Sequence, residues 1–260
     1  MTAWQRNWGT FSCLYLREML RLGRERMRWA GAFAQPLLFW FIIGSGMAES
    51  FRIQGAEGVS ALQYFFPGIL VMIVLFTSIF TTISVVEDRQ QGFLQGVLAG
   101  PGSRLALVLG KVCGVTTLVF IQVGVFVLMA PLIDLPLAEI AWARLVPVVL
   151  LASVGLTAMN FTLAWVLDSV QSYHAVMSVV LIPTWFLSGA LFPPPHSWLR
   201  NIMILNPVTH AVDGVRASLD PTALGVIGVL GPVAGSLIAL SVYCIAMLAL
   251  ASWTCRRRAA

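Results

Sequence analysis

Long apolar runs separated by short polar stretches organise this chain. Six runs, Trp29–Met47, Tyr64–Val86, Leu105–Ile133, Leu145–Leu167, Ala175–Phe192 and Val226–Trp253, each come near the roughly 20 residues a helix needs to cross about 30 Å of hydrocarbon. Pro36, Pro67, Pro147, Pro183 and Pro232 fall within or near the ends of five of these runs. Kinks are expected there, with neighbouring helices re-satisfying the freed carbonyls. The third and sixth runs are long enough to require tilt, or ends that protrude from the bilayer.

The polar stretches carry a periodicity of their own. Residues 2–28 hold six arginines, and Trp4, Trp8, Phe11, Tyr15, Met19 and Leu22 recur at helical spacing. This pattern predicts a basic amphipathic helix, lying in the membrane interface with its arginines toward anionic headgroups or else forming an ordinary cytosolic surface helix. Between the second and third runs, Gln90 to Ala99 predicts a short helix with Phe93, Leu94, Val97 and Leu98 as one apolar stripe. Gly92, Gly96 and Gly100 recur every four residues on a neighbouring face, where another backbone could come close. Pro101 and Gly102 stop this helix and Ser103 can cap the next. Such a helix either lies on the lipid surface or receives the push of a cytosolic motor, and spacing alone leaves both open.

A third polar stretch, residues 193–222, is too polar to span. Trp198, Leu199, Ile202 and Leu205 share one helical face, and Val208, Ala211, Val212, Val215 and Leu219 share another. Asn206 as N-cap with Pro207 at the first helical position starts the second helix. Two short amphipathic helices at the outer mouth follow, either gating it or lying passively on it.

Composition sharpens the class. Apolar residues make up 58% and charged residues 10%, against about 25% charged in soluble domains. So much apolar surface needs lipid as solvent, and the expected fold is one all-α membrane domain over 1–260. The arginine and lysine distribution orients it. With both termini in the cytoplasm, twelve of the sixteen basic residues lie inside, including three in 87–111. Arg52, Arg144, Arg200 and Arg216 lie outside. No basic run is interleaved with aromatics, which excludes nucleic acid as a partner. Cys13, Cys113, Cys244 and Cys255 have neither outer-loop positions nor C-x-x-C spacing, so no disulfide framework or zinc site is expected. The N-terminus lacks the pattern of a cleavable signal peptide.

Candidate chemistry is sparse. Glu87, Asp88 and Asp168 sit at cytosolic span ends with His174 nearby, and no ionisable group falls near mid-membrane to relay protons. Gln35, Gln122 and Asn160 read as contacts between helices more than as substrate contacts. Ser188–Gly189 with His196 or His210 does not make an intramembrane serine protease, because both histidines lie in the outer loop and Phe186 stands where rhomboid proteases carry Gly. No Walker A motif is present: Gly110–Lys111 runs into Val112, and Leu105 stands where the phosphate loop would open with Gly. Any ATP would have to bind a separate polypeptide.

Several segments together resemble the membrane subunits of ABC-2 type exporters: Asp88–Arg89, Gly92–Phe93–Leu94, Pro101, Leu109–Gly110–Lys111, then Phe186–Leu187–Ser188–Gly189 before Phe192–Pro193, and Asn206–Pro207. The chain differs from the common family pattern at Gln90, Phe93 and Gln95, where an acid, Thr and an acid are usual. The resemblance implies that 87–104 is a coupling loop, with Asp88, Arg89, Gly92, Phe93, Leu94, Gly96, Val97 and Leu98 at the ATPase contact. It implies a short outer re-entrant hairpin with gate helices over 193–222, and an outer gate formed by Ser188, Gly189, Phe192, Asn206, Pro207 and Val212. It further implies an inner-membrane exporter of two permease subunits, with membrane lipids around it and no cofactor in this chain. ATP and magnesium would sit on two partner ATPases. A motor-independent secondary transporter or channel, and a non-transporting assembly subunit, are the alternatives. The first lacks internal repeats or mid-membrane charge to support it.

Overall fold

The computed structural model describes residues 2–24, 26–46, 60–100, 102–191, 198–220 and 232–257, and these are helical with no strand among them. In order they are α1 (Ala3–Arg24), α2 (Arg26–Gly46), α3 (Ala61–Gln90), α4 (Phe93–Ala99), α5 (Arg104–Val127), α6 (Trp142–Val166), α7 (Val170–Val176), α8 (Ile182–Phe186), α9 (Leu199–Leu205), α10 (Pro207–Leu219) and α11 (Pro232–Arg257). Four of them, α3, α5, α6 and α11, are long and apolar enough to cross a membrane.

The centre is α3. Ser60 starts it with a capping box shared with Gln63, which satisfies two of the first turn's orphan N–H groups. Nearly every residue from Tyr64 to Val86 is then buried, and α2, α5, α6 and α10 surround it. Hydroxyl and amide pairs stitch these neighbours together: Ser78 to Thr157 at 2.8 Å, Thr82 to Tyr173 at 2.7 Å, and Thr77 donating to Gln122. Where lipid tails are as apolar as side chains, such pairs and close packing hold helices together in place of a hydrophobic drive. Asn160 is fully buried on α6, and its amide finds no partner among the described residues. At the edge of the bundle, α11 turns Ile238, Val242 and Ile245 outward.

Two apolar runs end earlier than their length suggests. After Val127 the chain leaves α5 through a 3-10 turn at Ala130–Ile133. The fifth run is a broken helix: α7 passes through a π turn at Met177–Leu181 into α8, which stops at Phe186. Pro183 explains the break. It has no N–H and its ring crowds the carbonyl four residues back, and the wider turn lets the Ile182 N–H reach the Met177 carbonyl instead. Phe192, Pro193 and the start of the sixth run lie outside the described residues.

Candidate functional site at the α4 end of the bundle

The helices meet at two ends, and the richer chemistry lies at the one carrying α4. Here α3 runs on to Gln90, further than the apolar run predicts, and Gln91 and Gly92 make a tight turn. Gly92 has φ +76°, the left-handed region that glycine occupies at little cost. So the short helix begins at Phe93 instead of Gln90, and Gly92 is the bend in place of a packing face. Gly100 caps the far end of α4, and Arg104 Nη1 donates to the Leu98 carbonyl at 2.7 Å. That cation satisfies a carbonyl the short helix would leave open.

Three of the four stripe residues of α4 face the protein itself, while Phe93 stays partly open to the outside. Leu94 is 1% exposed, Val97 and Leu98 pack on the core, and Phe93 lies under the Arg17 guanidinium, 3.8 Å from ring centroid to Cζ. The outward face is Gln95, Gly96 and Ala99. A Cβ built on Gly96 would meet nothing within 4 Å. Beside α4, toward α1, lies a half-open cavity of about 330 Å³ lined by Arg6, Gly9, Thr10, Cys13, Val97 and Gly100, among others.

Glycines on α5 set the place of α1. Cβ atoms at Gly110 and Gly114 would come within 3.0 Å of Leu14 and the Phe11 carbonyl, and within 2.8 Å of Glu18. Asn7 accepts from the Ser103 N–H at 2.8 Å, and Tyr15 bonds Thr117 at 3.2 Å. These contacts run in the same direction along both chains, so α1 lies alongside the first half of α5. Trp4, Trp8, Phe11 and Tyr15 stack in series along α1, from the two exposed tryptophans to Tyr15 against α5.

An ion cluster forms where α1, α3 and α5 converge. Lys111 is 2% exposed and donates to Glu18, to Asp88 at 2.9 Å and to Ser84 at 3.2 Å. Arg17 grips Asp88 with both terminal nitrogens, at 2.6 and 2.5 Å, and Arg21 pairs with Glu87 at 2.5 Å. These hydrogen bonds with Asp88 hold the Arg17 guanidinium above its ordinary pKa. Arg17 and Arg21 thus point at carboxylates of the protein itself, where headgroups are the expectation from sequence. Three cations meet three anions (Arg17, Arg21 and Lys111 against Glu18, Glu87 and Asp88), and a two-pronged guanidinium–carboxylate pair is a strong, directional form of the interaction.

Arg89 turns the other way. Its guanidinium donates to the carbonyls of Trp165 and Leu167 and pairs with Asp168 at 2.9 Å. Gln90 Nε2 adds a bond to the Asp168 carbonyl at 3.0 Å.

At the opposite end, a second group of residues is locked by hydrogen bonds. Asn206 caps α10 by accepting from the Val208 N–H, with Pro207 following as the first helical residue. Its Nδ2 donates to the Thr184 and Leu187 carbonyls. Ser188 is buried, and Gly189 bends the chain at φ +76°. The Gly189 carbonyl accepts from Arg216 at 3.0 Å and from Tyr64 at 3.4 Å. Val212 and most of α10 are buried between α3, α6 and α11, so this helix is an interior element in place of a surface one. Of α9 and α10, α9 is the one that turns an apolar face outward, with Ile202, Leu205 and its N-cap Trp198 exposed.

Sequence reading turns Arg17 and Arg21 toward headgroups and counts Lys111 in a family motif, but it gives Glu18 no role and pairs none of the four. The available signal was Glu18, an acid alone in a strongly basic helix, together with Arg17 and Arg21 one turn apart. The described residues contain no group of three metal-ligating side chains.

A helical bundle with four spanning-length helices, a short helix bent out at one end and a charge-tied helix beside it is the architecture of a multi-pass membrane protein. The chain belongs to the ABC-2 type transporter family, whose model matches residues 10–219. It is similar to the transport permease ycf38 of Cyanophora paradoxa, 30% identical over 78% of this chain and 71% of that one. It is also similar to Nodulation protein J of Rhizobium leguminosarum bv. viciae, 22% identical over 94% of this chain and 88% of that one. The inner membrane transport permease YadH of Escherichia coli K12 is 26% identical, over 80% and 82%.

Proposed function

We propose that this chain is the membrane half of an ATP-driven exporter that moves an amphiphilic, lipid or glycan substrate outward. A second permease subunit completes the path, and a separate cytosolic ABC ATPase, binding ATP and magnesium, drives it. In this reading α2, α3, α5, α6, the α7–α8 segment and α11 are six crossings, and the arginine bias puts the α4 end in the cytoplasm.

The observation that carries the proposal is the outward face of α4. Leu94, Val97 and Leu98 of its stripe pack into the bundle, yet Gln95, Gly96 and Ala99 stand free, and Gly96 leaves room for a close partner surface. Gly96 then touches the ATPase, and Asp88, Arg89, Gly92, Phe93, Leu94, Val97 and Leu98 hold α4 rigidly to the helices it must move. At the other end Ser188, Gly189, Asn206, Pro207 and Val212 form the closed outer gate. The cycle opens it by parting α8 from α10.

The test is purification of the tagged chain from its native membranes, followed by assay of vanadate-sensitive ATP hydrolysis in the eluate. Gly96→Ala retains this activity, since it adds one methyl to open space and gains up to about 1 kcal/mol of helix propensity. Gly96→Trp inserts normally but loses the co-purifying activity. Full activity with Gly96→Trp would overturn the proposal.

A further inference from the structure

Arg89 has a geometry that neither ATPase contact nor simple charge balance explains. An α-helix ends with carbonyls that lack intrahelical partners. α6 ends at Val166, and Arg89 of α3 supplies donors to the carbonyls of Trp165 and Leu167 on either side of that end. Gln90 holds the next carbonyl, that of Asp168. The last turn of α3, one tight bend from α4, therefore grips the non-helical link between α6 and α7.

Beyond that link the segment has one weak point. Tyr173 of α7 is tied to α3 through Thr82 and the Ile79 carbonyl, at 2.7 and 3.2 Å. Trp185 of α8 is tied to α3 through the Gly68 carbonyl at 3.1 Å. Between these two fastenings lies the π turn forced by Pro183, and its Val179 is 75% exposed. A segment fixed at both ends and loosened in the middle bends in the middle, and π turns inside helices frequently mark functional sites.

We propose that Arg89 is a positioning residue that passes displacement of α4 to the α7–α8 segment, with the π turn at Met177–Leu181 as the hinge. The inference rests on the ATP-driven reading above. Asp168 is 86% exposed at its side chain, so its ion pair with Arg89 is screened and contributes little. The forked bonds to two carbonyls carry the coupling. Lysine keeps the charge but not the fork, so Arg89→Lys behaves like Arg89→Gln, and Asp168→Asn behaves like the parent.

The experiment uses the permease–ATPase complex in lipid vesicles, with native cysteines replaced and a reporter label at either Gln95 or Val179. Magnesium-ATP with vanadate shifts the signal at both sites in the parent. In Arg89→Gln the Gln95 response persists, and the nucleotide-induced shift in population at Val179 falls about three- to thirtyfold, the usual range for loss of a coupling residue. A short thiol cross-link between cysteines at positions 90 and 168 restores it, which a merely destabilising substitution would not allow. If Arg89→Gln does not purify, Arg89→Lys carries the same measurement. A Val179 response equal to the parent in either Arg89 variant overturns the inference, as does loss of response in Asp168→Asn alone. No response at Gln95 in the parent would instead overturn the ATP-driven reading beneath it.

Discussion

Lys111→Met tests whether the ion cluster fastens α1. Methionine fills similar volume but removes the ammonium that Glu18, Asp88 and Ser84 share. Asp88 keeps its two bonds from Arg17. Glu18 does not fare as well: it is 1% exposed, and Arg17 is already committed to Asp88. Breaking one side of a buried ion pair costs about 3–5 kcal/mol, because the survivor is left charged and unsolvated. At about 2–4 °C per kcal/mol for a chain of this size, the midpoint of thermal unfolding falls by about 6–20 °C. The double variant Lys111→Met with Glu18→Met removes both charges and recovers most of that loss, since well-packed apolar residues of similar volume in place of a buried ion pair are often near neutral. Thermal unfolding in detergent, followed by intrinsic tryptophan fluorescence, reads the midpoint, and trypsin cleavage within α1 reads whether that helix has come loose. A single variant within about 1 °C of the parent refutes the argument. So does a double variant no more stable than the single.

Gly114→Leu, whose first side-chain carbon already meets Glu18 at 2.8 Å, displaces α1 and raises trypsin cleavage there; Gly9→Ala, with open space around it, leaves cleavage unchanged. Val212→Asp puts a carboxylate into a site 1% exposed, a desolvation cost of several kcal/mol, so it abolishes monodisperse protein on size exclusion before any transport can be assayed. In a background without native cysteines, single cysteines at Gln95 and Trp198, both exposed, label from opposite sides with an impermeant thiol reagent; labelling of both from one side contradicts the orientation.

The bundle was legible because its signals are local. Apolar runs near membrane length marked α3, α5, α6 and α11, and Asn206–Pro207 marked the start of α10 without any tertiary information. Interruptions at Gly92 and Pro183 were visible as residues, but their consequences depend on which partner takes the freed backbone group. Thus Gly92 reads as a packing glycine until the end of α3 is known, and then it is a bend. The stripe on α4 and the faces of α9 and α10 show the limit of periodicity. It reports that a helix buries one side, never against what, and α4 and α10 both bury theirs inside their own bundle.

The ion cluster was least legible, since its six members come from three segments, and charge counting treats each as a marker of sidedness. Their pairing changes what arginine and lysine mean in this chain. Of the twelve basic residues on the proposed cytoplasmic side, Arg17, Arg21, Arg89 and Lys111 are engaged with carboxylates or helix-end carbonyls of the protein. Arg104 is engaged with the end of α4. These five assemble the chain as hydrogen-bond donors at the end where α4 emerges, and on the proposed reading they also orient it as charges. A helix of seven residues has too few internal hydrogen bonds to hold its own shape. The surrounding donors and the buried Leu94 supply that rigidity, so on the proposed reading a force applied at Gly96 would pass to α1, α3 and α5 together before α4 unravels.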